Sequence, residues 1–326
     1  MALNDIILNR RQAIIAGANA VVLAGLAGCS GSTDSGSSTS TSSSTSASSS
    51  EGAIDKDAFD AIIKAGEAAD ASVISASEWA SKVKSAGSLR VGSTRTSELF
   101  SYLDETDNTL RGFDAGLYQL LTAYILGDAT KFEFTQVTSD TRESVLQNDQ
   151  VDAVFATYSI TDKRKALIDF AGPYFTAHQG ILVMASNTDI NSAADLDGKN
   201  VAVQSGSTGP SIVEEVAPKA VLSEYSTDEE ARAALEQGRV DAYVIDETLQ
   251  EGSIVANPGK YRLVSETIGP DDPYGIGLAK GSDAVDFVNA FLQKVEDDGV
   301  WKQLWKVCIG DRTGQTEAPE PPTIGA

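Results

Sequence analysis

The chain has 326 residues, enough for one large domain or two of ordinary size at about 100–200 residues each. Its 47 Asp and Glu against 25 Lys and Arg give a formal charge of -22, which repels nucleic-acid phosphate and argues against DNA or RNA as a partner. An apolar share of 41% excludes a wholly disordered chain, while two Cys and one His argue against a disulfide scaffold, a Cys/His zinc site and any imidazole triad not using His178.

Residues 1–28 carry a basic pair, Arg10 and Arg11, then an apolar stretch over 13–27, the layout of an export signal. That stretch falls short of the roughly 20 apolar residues a membrane-spanning helix needs. It ends in Leu26-Ala27-Gly28-Cys29, which resembles the bacterial lipobox, so Cys29 is the expected lipid attachment site and mature N-terminus. The Arg pair leaves the choice between general and twin-arginine export open. From 30 to 50, 17 of 21 residues are Ser or Thr, a composition that cannot pack a core. Residues 29–52 therefore read as a flexible stalk, with an end-to-end distance of roughly 25 Å. Residues 53–76 are Ala-rich and read as a helical extension that either packs on the body or prolongs the stalk.

A helix capped by Ser77 and closed by Gly87 leads into a short strand at 89–91. Next come a strand at 131–137, a helix at 141–147, a strand at 151–157 and an apolar strand at 180–184. A second set follows: a strand at 200–204, a helix from Gly209, a strand at 220–225, a helix capped by Thr227 with Glu230 three residues on, and a strand at 240–245. At a constant offset of 89, Leu146-Gln147-Asn148-Asp149-Gln150-Val151-Asp152-Ala153 lies over Leu235-Glu236-Gln237-Gly238-Arg239-Val240-Asp241-Ala242. The alternation predicts an α/β fold of two similar lobes with mainly parallel sheets. Trp301 and Trp305 read as core positions of a terminal helix, Cys308 as a buried thiol, and the Pro-rich tail 311–326 as disordered.

Ligands of open parallel sheets sit beyond the carboxyl ends of the strands. In this sequence those ends carry Thr94-Arg95, Thr138-Ser139, Arg142, Thr157 to Arg164, Ser205 to Gly209, Ser226-Thr227 and Asp246. Hydroxyls, Gly amides, several Arg and one Asp, with no acid/base pair, metal cluster or phosphate loop, describe a binder of a small zwitterion. Taken alone, Arg164 is either a ligand cation or a helix-surface partner of Asp162 or Asp169. Arg142 is either a second such cation or a surface charge beside Glu143, and Asp246 either a ligand acid or a strand cap.

Five segments resemble the extracellular solute-binding proteins of polar amino acid ABC importers, family 3, in its glutamate/aspartate-binding branch. They are Gly112-Phe113-Asp114-Ala115-Gly116-Leu117, Ala156-Thr157-Tyr158-Ser159-Ile160-Thr161-Asp162-Lys163-Arg164, Asp169-Phe170-Ala171-Gly172-Pro173-Tyr174-Phe175, Gln204-Ser205-Gly206-Ser207-Thr208 and Val240-Asp241-Ala242-Tyr243-Val244-Ile245-Asp246. The resemblance implies a type II periplasmic-binding-protein-like fold, two α/β lobes joined by two crossover strands around a cleft, with 77–184 plus 272–310 as lobe 1 and 185–271 as lobe 2. It implies Arg164 on a ligand α-carboxylate, helped by Ser159 and by Thr208 at a helix N-terminus, and Asp246 on the α-ammonium, helped near Thr157. Arg142 and Arg95 are the cations offered to an acidic ligand side chain, although Arg95 stands one place from the family's usual position.

The expected function is that of a lipid-anchored receptor on the outer face of the bacterial cytoplasmic membrane. It binds a free amino acid, glutamate before aspartate or glutamine, and passes it to a permease and its ATPase, with no catalysis, cofactor or metal. The alternatives are a prephenate- or arogenate-type dehydratase, which would need a proton donor such as His178 in the cleft, and a sensory or adhesive lipoprotein.

Overall fold

Residues 52–325 are described by the structure, a computed structural model; the export signal, Cys29 and the stalk up to residue 51 lie outside them. The Ala-rich segment folds as α1 (Lys56–Lys64), whose Ala58 N–H donates to the Asp55 carboxylate at 3.0 Å, and α2 (Ala71–Ser75). Phe59 and Ile63, one helical turn apart, and Ile74 enter the main core, so this segment packs on the body. Ser77 caps α3 (Glu78–Ala86), and Gly87, left-handed at φ 77°, closes it.

The first lobe continues through β1 (Leu89–Ser93), a small antiparallel sheet of β2 (Thr96–Ser97), β3 (Ser101–Asp104) and β4 (Thr109–Arg111), and the buried helix α4 (Phe113–Leu126). It then adds β5 (Phe132–Gln136), α5 (Arg142–Gln147), β6 (Ala153–Phe155) and the single turn α6 (Asp162–Lys165). The long strand β7 (Asp169–Met184) crosses to the second lobe. That lobe holds β8 (Asn200–Gln204), α7 (Gly209–Val216), β9 (Val221–Tyr225), α8 (Asp228–Glu236), β10 (Ala242–Asp246), α9 (Glu247–Ala256) and β11 (Tyr261–Leu263). The return crossing is β12 (Ile268–Leu278), after which α10 (Ala284–Asp297) and α11 (Val300–Trp305) pack on the first lobe.

Nine strands run in the order β5-β1-β6-β12-β7-β10-β8-β9, with β11 beside β7. Within each lobe β1, β5 and β6, or β8, β9 and β10, are parallel, and the crossover strands lie antiparallel to them. The 89-residue offset survives in the fold, since β5 and β9, and β6 and β10, begin 89 residues apart. The shared Asp has one structural task in both copies. The Asp152 carboxylate accepts the Arg90 N–H at 2.9 Å and the Asp241 carboxylate accepts the Asn200 N–H at 2.8 Å, each anchoring the start of the neighbouring strand. Period-two alternation then sorts the second lobe: Val201, Val203 and Val244 face Val213 of α7, while Ala202, Tyr243 and Ile245 face Ala231 and Leu235 of α8.

Two boundaries differ from the sequence reading. Residues 179–184, placed there with the first lobe, pair with β10 and β11 and bury Ile181 and Val183 in the second lobe's core. The strand also starts at Asp169, eleven residues earlier than expected, because β12, a partner distant in sequence, pairs alongside it. The Pro-rich tail is not loose. Asp311–Thr313 form a helical turn, Arg312 Nε donates to the Gly52 carbonyl at 2.8 Å, Ala318 and Ile324 pack on the first-lobe core, and the Gly325 N–H reaches the Gly172 carbonyl at 2.8 Å. Composition reports that a segment lacks a core of its own, not whether the body offers it a surface.

Candidate functional site

The carboxyl ends of the parallel strands of both lobes meet in a cleft. Thr94, Gln136, Thr138, Ser139, Arg142, Thr157 and Ser159 from the first lobe face Gln204, Ser207, Thr208 and Asp246 from the second around a pocket of about 70 Å³.

Thr157 follows β6 with φ 42°, a left-handed conformation uncommon for a Cβ-bearing residue. A buried acid holds it there. The Asp114 carboxylate, in the first turn of α4, accepts the Thr157 N–H at 2.9 Å and the Tyr174 hydroxyl at 2.7 Å. Burial pushes the Asp114 carboxyl up to about 7. Gly112, at φ 131°, lets the chain turn into that helix, because a Cβ there would lie 2.4 Å from the Phe100 carbonyl.

Two guanidinium groups follow. Thr161 caps the α6 turn that carries Arg164. Arg164 Nη1 donates to the Ser159 carbonyl and Nη2 to the Gly206 carbonyl, both at 2.8 Å, while Nε lies 3.4 Å from a Glu143 carboxylate oxygen. Arg164 therefore already ties the first lobe to the second. Arg142, at the start of α5, is 3% exposed, donates from Nη1 to the Ala156 carbonyl at 3.0 Å and stacks 4.0 Å from the Tyr158 ring centre. Its Nε is buried with no acceptor, and among the described residues no carboxylate forms an ion pair with it. Burial, then the neighbouring Arg164 charge, lowers its pKa to about 10. It is a cation lacking an anion.

Two buried acids complete the site. Asp246, at the end of β10, accepts hydrogen bonds from Gln179 Nε2 and, at 2.6 Å, from the Tyr274 hydroxyl. Asp272, on β12, accepts from Ser159 Oγ at 3.1 Å, Gln179 Nε2 at 3.4 Å and Thr208 Oγ1 at 3.5 Å. Burial raises both carboxyls above the ordinary range, Asp272 to about 7 with the Asp246 charge as a second cause. The site thus brings two buried guanidinium groups and two buried carboxylates together around Ser159 and the pocket, a set that complements a small molecule bearing both charges.

Six of the seven ligand candidates lie in this neighbourhood: Arg142, Thr157, Ser159, Thr208 and Asp246 line the pocket, and Arg164 contacts Ser159 behind it. Arg95 does not join them. Its guanidinium lies 4.8 Å from the Phe134 ring centre over a separate hollow with Leu103 and Leu110. Thr94, Thr96 and Ser97 line the cleft, while Arg95, in the bend between β1 and β2, turns away from it. Missed were Gln179, Asp272 and Tyr274, all on the crossover strands, and the task of Asp114. Asp271-Asp272-Pro273 has no pattern that separates a buried acid from a surface one. His178 stands between Glu247 at 3.3 Å and Asp271 at 3.1 Å, outside the pocket lining. Trp301, Trp305 and Cys308 are buried, and burial pushes the Cys308 thiol upward. Among the described residues no group of three or more His, Cys, Asp or Glu is placed to hold a metal, and no helix is long and apolar enough to cross a membrane.

Residues 89–310 match the bacterial extracellular solute-binding proteins, family 3. The chain belongs to this family. The ABC transporter glutamine-binding protein GlnH of Bacillus subtilis is 33% identical over 246 residues, covering 75% of this chain and 89% of that protein. Glutamate-binding protein GluB of Corynebacterium glutamicum is 34% identical over 245 residues, covering 72% of this chain and 83% of that protein. A crystal structure of the solute receptors for L-cysteine of Neisseria gonorrhoeae aligns with TM-score 0.70 and 25% identity, covering 74% of this chain and 97% of that one. The fold is the type II arrangement expected of the sequence, and this solute-binding protein is a binder rather than an enzyme.

Proposed function

We propose that this solute-binding protein is the receptor of an amino acid ABC importer, binds L-glutamate in the cleft and presents it to a membrane permease. The ammonium sits on Asp246. The α-carboxylate is taken by Arg164 with Ser159 and Thr208, Arg164 exchanging the Gly206 carbonyl for it. The side-chain carboxylate is taken by Arg142. One observation carries the choice of glutamate: the Arg142 guanidinium is buried with a single carbonyl acceptor and no carboxylate. Two charges at about 4 Å with an effective dielectric near 20 gain about 4 kcal/mol, so an anionic side chain satisfies this group far better than an amide does.

Calorimetry with glutamate, glutamine and aspartate on wild type and Arg142→Ala tests the assignment. The change is expected to weaken glutamate binding by more than about 2 kcal/mol and glutamine binding much less, as loss of a charge-assisted hydrogen bond requires. Equal losses for both ligands defeat it. Glutamine is the second reading, since a relative named for glutamine and one named for glutamate match equally well. Attachment through a lipid on Cys29 rests on the Leu26-Ala27-Gly28-Cys29 motif. Cys29→Ala is expected to release the protein from the membrane fraction.

A further inference from the structure

Gln179 Nε2 carries two hydrogens, yet three acceptors lie around it: Thr208 Oγ1 at 3.1 Å, Asp246 Oδ1, and Asp272 Oδ2 at 3.4 Å. Its Oε1 is buried with no donor. Two carboxylates therefore converge on one amide group, and among the described residues neither has a cation at ion-pair distance. Both are nearly inaccessible, Asp246 at 4% and Asp272 at 8%. Arg142 and Arg164 act on the pair only from farther off, with Glu143 set against Arg164, and the Tyr274 hydroxyl closes the Asp246 side. Asp272 occupies a particular place, because its Oδ2 receives donors from Ser159 of the first lobe, Thr208 of the second and Gln179 of the other crossover strand.

We propose that Asp272 is a positioning residue of the ammonium site: it and Asp246, meeting at the Gln179 amide, hold one proton between the two of them, and the incoming ammonium replaces that proton. The inference rests on the amino-acid reading above. The charge balances, since one cationic group enters and one proton leaves to solvent while no covalent bond of the ligand changes. With the proton gone, both carboxylates are ionised around the ammonium, and Asp272 draws Ser159 and Thr208 in from the two lobes. Closure and ammonium recognition then share one group. Burial and the Asp246 charge raise the Asp272 carboxyl, so the pair still holds part of its proton near neutral pH; binding releases that fraction and loses up to about tenfold in affinity per pH unit below the titration. Because the two acids interact, the titration belongs to the pair.

The test is calorimetry of the full chain with L-glutamate and L-glutamine, which share the α-ammonium, in buffers of differing ionisation enthalpy from pH 5.5 to 8. Proton release near pH 7 that grows as the pH falls, and that is abolished in Asp272→Asn at ligand concentrations high enough to saturate its weakened site, supports the proposal. Infrared difference spectra of wild type are a second readout, needing no variant: the band of a protonated carboxyl should disappear on ligand addition. Saturable binding without proton release, or with the carboxyl band unchanged, overturns this proposal and leaves the amino-acid reading intact. Release that persists in Asp272→Asn places the proton on another acid that burial raises, Asp114 behind Thr157 or Asp228 in the pocket wall beside Arg232, and also overturns it. Absence of binding by either ligand overturns both.

Discussion

The two lobes share a frame and divide the chemistry. In each, the same Asp anchors a neighbouring strand, and the next strand runs to the cleft. At the 89-residue offset Thr157 corresponds to Asp246, and Arg142 to Ala231. The first lobe bends at that point, into a left-handed threonine held by Asp114, and supplies the cations. The second runs straight to a buried acid. Their interiors differ as well: the first is braced by Phe100, Phe113, Phe175 and Trp301 in edge and stacked contact, the second by an aliphatic layer on one face of its sheet and by Tyr243 and Tyr261 among aliphatic side chains on the other. A repeated frame leaves the strand ends free to diverge, because the frame's stability lies in the sheet and not at its tips.

The largest effect comes from removing the acid pole. Asp246→Asn is expected to cost about 2–5 kcal/mol of amino acid affinity in calorimetry, with the melting temperature unchanged or higher because a buried carboxylate beside Asp272 is gone. An unaltered affinity would leave the lobes without opposite roles. The shared anchor gives a graded comparison. Asp152→Ala also strips the Arg90 guanidinium of its contact at 2.6 Å and should cost about 2–3 kcal/mol in urea unfolding, whereas Asp241→Ala, bonded to backbone and an Asn amide, should cost about 1 kcal/mol. Equal costs would show that Arg90 adds nothing to the first lobe's copy. The rim gives the last comparison. Gly206, at φ 70°, packs so closely on the first lobe that a Cβ would lie 2.5 Å from Asp140 Oδ1 and 2.9 Å from the Asp140 nitrogen. Gly206→Ala should weaken binding by about 1–2 kcal/mol and enlarge the radius of gyration of the liganded protein in X-ray scattering. An unchanged radius would separate Gly206 from closure.

Much of the frame is legible in the sequence, since alternating valines, the Ser77 and Thr227 caps and the 89-residue offset each report a local preference that the fold keeps. The residues at strand ends are legible too, as Arg142, Thr157 and Asp246 reach the cleft. Arg95 is a near miss of the kind sequence position invites, because it sits in the bend between two strands, where the chain's turn and not its strand period sets the direction of the side chain. Gln179 and Asp272 carry no local signal. They lie 93 residues apart on two strands that become neighbours only when both lobes have formed, so their meeting is a property of the crossover. Local sequence thus determined which segments are strands and helices and which charges exist, because those follow from neighbours within a few residues. Tertiary structure alone decided which charges are buried without a partner, because desolvation depends on what the rest of the chain lays over a group.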